Sequence, residues 1–225
     1  MNDTQLTDQP LSSGRVEDLF TAKDGSYRFS RWGRSIAPVV FGIDDDTLSH
    51  LKDAMQSVVH ITGGAFAETD PEFGANLMIF FCQDWDELDM VPNLDKMIPD
   101  FDILKTSLKR SGANQYRTFS FDDTGAIRVC IVLLRYDSAM ADTTVQALGV
   151  GQMLQCILLW GDDAFDAETP IGILPQNGLC LVKPEYAAVI RAAYDPALPP
   201  SSTEKSHALR LLARAQKLLD EGDDA

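Results

Sequence analysis

Apolar and polar positions are arranged in three different ways along this chain, and each predicts a different element. Leu48, Leu51, Met55, Val58 and Val59 recur at helical spacing, preceded by aspartates and Thr47 and followed by Gly63-Gly64. That predicts a helix within 44–64, with one face in the core, an oxygen-bearing N-cap and a glycine at its C-terminal end. ANLMIFFC, residues 75–82, is apolar without interruption and rich in β-formers, which predicts a strand covered on both faces near the centre of a sheet. In TFSFDDTGAIRVCIVLLR two β-rich runs flank Asp122-Asp123-Thr124-Gly125. The expected hairpin has an edge strand, Tyr116 to Phe121, and a longer inner strand, Ile127 to Leu134.

A fourth stretch, from about Ala141 to Trp160, is apolar on nearly every side and predicts a helix running through the middle of the domain. A short strand around Val39 to Ile43, a helix from Phe101 to Arg110, another near Pro184 to Ala193 and a last helix from about Thr203 to Asp220 complete the expected elements. Ser201 and Glu204 fit a capping box for the last helix, while Ala208, Leu211, Leu212, Ala215, Leu218 and Leu219 form one apolar stripe along it. The organisation read from this is a flexible arm over 1–25, a domain over 26–200, and an amphipathic helix over 201–225 packed on the domain or on a partner. The fold class is α+β: a small mixed sheet with a hairpin packed on a central buried helix, plus C-terminal helices.

Composition narrows the function. With 225 residues, 45% of them hydrophobic, the chain can bury one sizeable core. Its 34 acidic residues against 19 basic ones give a formal charge of −15, which disfavours nucleic acid and anionic membranes as partners. No basic-then-apolar leader and no apolar run of membrane length is visible, so the expected location is cytoplasmic, or exported if the true start lies upstream. Arg28, Arg31 and Arg34, grouped around Trp32, could hold an anion. In so acidic a chain, ion pairs with the domain's own carboxylates are the favoured reading. The acidic, proline-broken stretch over 83–112 lacks calcium-loop spacing and reads as a solvated surface. His50 and His60, ten residues apart on one helix, fall on different sides of it and form no ligand pair. Cys82, Cys130, Cys156 and Cys180 lie in apolar segments without a C-x-x-C pair and read as free core thiols, with a Cys82–Cys130 bridge the alternative in an exported protein.

The stretch VGQMLQCILLWGDD, Val150 to Asp163, brings a known arrangement into view. The order strand, helix, strand, hairpin, buried helix resembles the upper half of a zincin-type peptidase, whose helix carries H-E-x-x-H-x-x-G-x-x-H. Here the first ligand position holds Gly151, the acid/base position Gln152, the second ligand position Gln155 and the third Gly161. Glycine supplies no side-chain ligand and an amide is no general base, so no catalytic residue, metal or other cofactor is expected. More specifically, Gln155, Asp162, Ile171-Gly172-Ile173 and Arg191 with Tyr194-Asp195-Pro196, preceded by Arg31-Trp32 and Asn76, resemble the proteobacterial family known only as domain of unknown function 2927. That family carries a degenerate E-E-x-T-Q-x-L-G-L-x-N-D at this place, and the likeness spans about residues 28–215. It implies a zincin-like domain without zinc ligands, in a family whose members are commonly exported or lipid-anchored. The candidate binding cleft is Gln152, Gln155, Asp162 and Asp163, beside the edge strand, and the expected partner is a protein or peptide. The alternative is a hydrolase using Asp162, Asp163, Asp166 and Glu168, with or without a divalent metal. A third reading makes the chain a structural subunit attached through its last helix.

Overall fold

In the computed structural model, which describes residues 11–176 and 178–223, these patterns become a mixed α+β domain. In chain order come α1 (Ser13–Asp18), β1 (Phe29–Ser30), β2 (Pro38–Phe41), α2 (Asp45–Ile61) and β3 (Leu77–Cys82). A 3-10 turn (Trp85–Met90) leads into α3 (Leu94–Met97), α4 (Phe101–Ser111), β4 (Gln115–Phe121) and β5 (Ile127–Arg135). Then follow α5 (Ser138–Ala141), α6 (Val145–Ile157), β6 (Ile171–Ile173), β7 (Cys180–Val182), α7 (Pro184–Ala193), β8 (Ser201–Ser202) and α8 (Ser206–Asp223).

The main sheet has the order β2-β3-β5-β4, parallel except for β4, which runs antiparallel to β5 at one end. β3 and β5 are apolar on both faces because both faces are covered. On one side Leu77, Ile79, Cys130, Val132 and Leu134 join the core built with α2 and α6. On the other, Phe80, Cys82, Val129, Ile131 and Leu133 pack against Trp85, Leu88, Leu94, Ile98, Phe101 and Leu108. The acidic stretch over 83–112 is therefore a second core layer as well as a charged surface. Its carboxylates face outward, where Asp89 and Asp102 pair with Lys105, and Asp84 and Asp86 with Lys109.

Helix α2 starts and stops where its punctuation predicts: the Asp44 side chain accepts from Thr47 N–H at 2.9 Å, and Gly63 takes a left-handed φ of 81°. It crosses α6 so closely that a Cβ on Gly149 would lie 2.7 Å from Ala54 Cβ and 2.9 Å from the Leu51 carbonyl oxygen. The glycine permits the crossing. His50 and His60 are exposed, and His50 Nδ1 lies 2.9 Å from the Asp46 carbonyl of its own helix.

Several boundaries differ from the sequence reading. The expected arm over 1–25 is packed from Leu11 onward: Val16, Leu19 and Phe20 are buried in the main core, and residues 1–10 lie outside the described residues. The segment is too short to show an apolar period, and its burial depends on a distant surface, α8. The expected helix over 141–160 is α6 alone, which begins after Thr144 caps it by accepting from Ala147 N–H at 3.2 Å. It ends at Ile157 because Leu158 turns extended and bridges to Arg31. The Ser201–Glu204 capping box does not form. Ser201 and Ser202 pair with β1, Ser201 Oγ donates to the Thr124 carbonyl, and α8 starts only at Ser206. Helix α8 itself packs on the domain, with Ala208, Leu211 and Ala215 buried in the common core. Among the described residues no helix is long and apolar enough to cross a membrane.

Candidate functional site

Helix α6 lies under the edge strand β4, and the two are joined by one side chain that the sequence reading passed over. Gln115, Arg117, Phe119 and Phe121 alternate along β4, and Arg117 reaches down onto α6. Its Nη2 donates to Gln152 Oε1 at 2.7 Å, its Nη1 to Gln155 Oε1 at 2.8 Å, and its Nε to Cys156 Sγ at 3.2 Å. Gln152 in turn contacts Gln115, Nε2 to Oε1 at 3.3 Å. Thus the residues at the catalytic and second-ligand positions of the peptidase comparison both serve as acceptors for a guanidinium. Charge-assisted bonds of this kind are stronger than neutral ones and hold the half-buried arginine in place. No local periodicity announces Arg117; its partners are 35 to 39 residues away.

Cys156 sits between that guanidinium and Cys130, whose Sγ lies 3.8 Å from its own. Burial opposes ionisation of Cys156, but the hydrogen bond from Cys130 and the charge of Arg117 outweigh it and hold the thiol below its ordinary range. Cys130 is pushed well above that range, first by burial and then by its neighbour. All four cysteines are free. The alternative Cys82–Cys130 bridge does not form. Cys130 pairs with Leu77 at one end of β3 while Cys82 is at the other, five residues or roughly 16 Å along the strand, and the two face opposite core layers.

Beyond Ile157 the chain runs extended along the N-terminal segment: Leu159 N–H donates to Ser30 O at 2.9 Å and Gly161 N–H to Leu19 O at 2.8 Å. A Cβ on Gly161 would stand 2.3 Å from the Thr21 carbonyl oxygen, so glycine fits where another segment of chain crosses. Between this extension and β4 lies a cleft of about 310 Å³, lined by Arg117, Thr118, Phe119 and Phe121 on one side and by Leu159, Trp160, Gly161 and Asp162 on the other. Phe20, stacked on Trp160 at 5.4 Å, forms its end wall with Ala22 and Arg28.

Of the four candidate cleft residues, only Asp162 lines this cleft; its carboxylate accepts from Lys23 N–H at 2.8 Å. Asp163 is exposed and pairs with Lys23 at 3.6 Å. Gln152 and Gln155 lie beneath Arg117, so they do not share a floor with Asp162 as expected. The carboxylates of the hydrolase alternative have different partners, Asp162 and Asp163 both contacting Lys23 and Glu168 other cations. Glu168 is paired with Lys183 at 2.7 Å and Arg15 at 2.5 Å; Lys183 foremost, against the opposing effect of burial, and Arg15 hold it below the usual carboxylate range. Among the described residues no three His, Cys, Asp or Glu side chains converge as a metal would require.

Trp32, Tyr194, Asp195 and Asn76, four of the residues compared above with that family, each have partners inside the fold, two of them at the end of α6. Its last carbonyls, left without intrahelical donors, are met by aromatic side chains. Trp160 Nε1 donates to Leu154 O at 2.7 Å, Trp32 Nε1 to Cys156 O at 2.8 Å, and Tyr194 Oη to Ile157 O at 2.8 Å. Asp195 pairs with Arg214 at 2.7 Å, tying α7 to α8. Asn76 receives Ala37 N–H at 2.8 Å and donates to Ser35 O at 2.9 Å and to Asp70 at 3.1 Å, locking the approach to β2. Compared with protein-family models, with curated proteins and with solved structures, the chain matches none.

Proposed function

We propose that this is a non-catalytic, zincin-like domain of the kind the resemblance to domain of unknown function 2927 implies, and that it binds an extended peptide along β4. The observation that carries the reading is the outer edge of that strand, unpaired among the described residues, beside the cleft. Cys130 N–H donates to Asn76 O on the β3 side, so in β5 the alternate residues Val129, Ile131 and Leu133 face β4, as Arg135 N–H donating to Asn114 O also requires. Their partners in the register are Ser120, Thr118 and Tyr116. Arg117 and Phe119 therefore turn their backbone groups outward, at the cleft wall, where a peptide strand can pair with them. Three further features support the likeness. The antiparallel strand is at the sheet's edge, the buried helix lies beneath it, and Arg117 occupies the face of that helix where zincin ligands would project.

Selection of phage-displayed heptapeptides, followed by fluorescence polarisation with the best synthetic peptide, tests this. Phe119→Pro removes only the outward N–H, leaving the β5 ladder intact. Binding should fall at least tenfold in the variant, with its circular dichroism unchanged and the peptide recovered uncut by mass spectrometry. Undiminished binding would remove the edge-strand reading; cleavage of the peptide would remove the non-catalytic one.

A further inference from the structure

A second cavity, of about 420 Å³, lies at the C-terminal end of α6, lined by Arg31, Trp32, Ile36, Val59, Ile157 and Tyr194, with Arg34 and the end of α2 beside them. That volume is within the range of small-molecule sites, about 300–1,000 Å³. The three arginines read together in the sequence part company here. Arg28 pairs with Asp24, and Arg34 with Asp70 at 3.4 Å and Glu72 at 3.0 Å. Arg31 has no carboxylate partner among the described residues. Its guanidinium lies over the Tyr194 ring, 5.5 Å from the centroid, and makes one hydrogen bond, from Nη1 to the Trp32 carbonyl at 3.2 Å. Among the described residues Nη2 has no acceptor, and Nε is sealed from solvent without one. A half-buried cation with the Nε/Nη2 side of its fork unmatched, in a chain of charge −15, is an incomplete arrangement.

We infer that this cavity binds a small organic carboxylate, its charged end on Arg31 and its apolar body against Ile36, Val59 and Ile157. The planar fork suits a two-oxygen acceptor, reached at Nη2 directly and at Nε once the guanidinium turns on its stem. The surroundings select a monoanion over a phosphate dianion. Asp70 and Glu72 stand behind Arg34, and the α2 C-terminus presents the negative end of its dipole at Thr62 and Gly63. The site is separate from the β4 cleft and does not depend on what that cleft binds.

The test is titration of the full chain with sodium hexanoate, inorganic phosphate and hexanol, followed by the ¹H–¹⁵N signals of arginine Nε and tryptophan Nε1. Hexanoate should shift the Arg31 Nε and Trp32 Nε1 signals saturably, while phosphate and hexanol bind at least tenfold more weakly. Arg31→Gln should weaken hexanoate at least tenfold and Arg31→Lys less. Should Arg31→Gln misfold, the shifts in the unsubstituted protein still locate the ligand. Absence of saturation, equal binding of hexanol, preference for phosphate, or shifts away from Arg31 and Trp32 would each overturn the inference.

Discussion

Arg117→Met is the sharpest test of how α6 and the edge strand are held together, because it keeps most of the side chain's bulk and removes its donors. Gln152, only 6% exposed, would lose the guanidinium from its Oε1, and a buried acceptor left unmatched costs about 1–3 kcal/mol. Gln155 is less buried and can turn to water, so its lost bond adds little. At about 2 kcal/mol, a domain of this size should melt roughly 4–8 °C lower. The same change removes the positive charge and the donor beside Cys156, two of the influences that favour its thiolate, so that thiol should ionise at higher pH. Calorimetry gives the first quantity and thiolate absorbance at 240 nm across pH the second, with Cys156→Ala identifying the signal. A variant that melts with the parent and titrates unchanged would show that the Arg117 cluster holds nothing in place.

Gly161→Ala should destabilise by about 2 kcal/mol or more, seen in urea unfolding, since its Cβ would meet the Thr21 backbone at 2.3 Å and backbone gives way poorly. Tyr194→Phe removes the donor to Ile157 O and should cost about 1–2 kcal/mol in the same assay; full stability would mean that water serves that carbonyl equally well. His207, 2% exposed with Nδ1 3.0 Å from the Tyr27 hydroxyl, is pushed down from 6.5 to about 4 by burial and then by the charge of Arg210. Its folded pKa is below its unfolded one. The resulting stability is therefore full above about pH 6.5 and is lost as pH falls toward 4, by about 3 kcal/mol in all. His207→Gln should flatten unfolding free energy against pH in that window, and an unchanged slope would assign it to other groups.

What the sequence determined by itself was whatever depends on short-range physics. The capped helix from Asp44 to Gly63, the two-sided strand of Leu77–Cys82 and the hairpin around Asp122–Gly125 were legible because their signals lie within one turn or one pleat of each other. That Gly151 and Gly161 carry no side chain and that Gln152 and Gln155 are amides was legible too, since it needs only residue identity. Tertiary structure decided the rest. Arg117 covers Gln152 and Gln155 because the sheet sets β4 over α6, a meeting no local pattern encodes. α6 ends at Ile157 although the apolar run continues, because Leu158 turns extended to bridge Arg31, and Trp32 and Tyr194 from elsewhere donate to its last carbonyls. Leu11, Val16, Leu19 and Phe20 are core rather than arm because α8, nearly 200 residues on, packs against α1. Apolar spacing says which face must be buried; only the assembled chain says against what, and which acceptors each arginine finds.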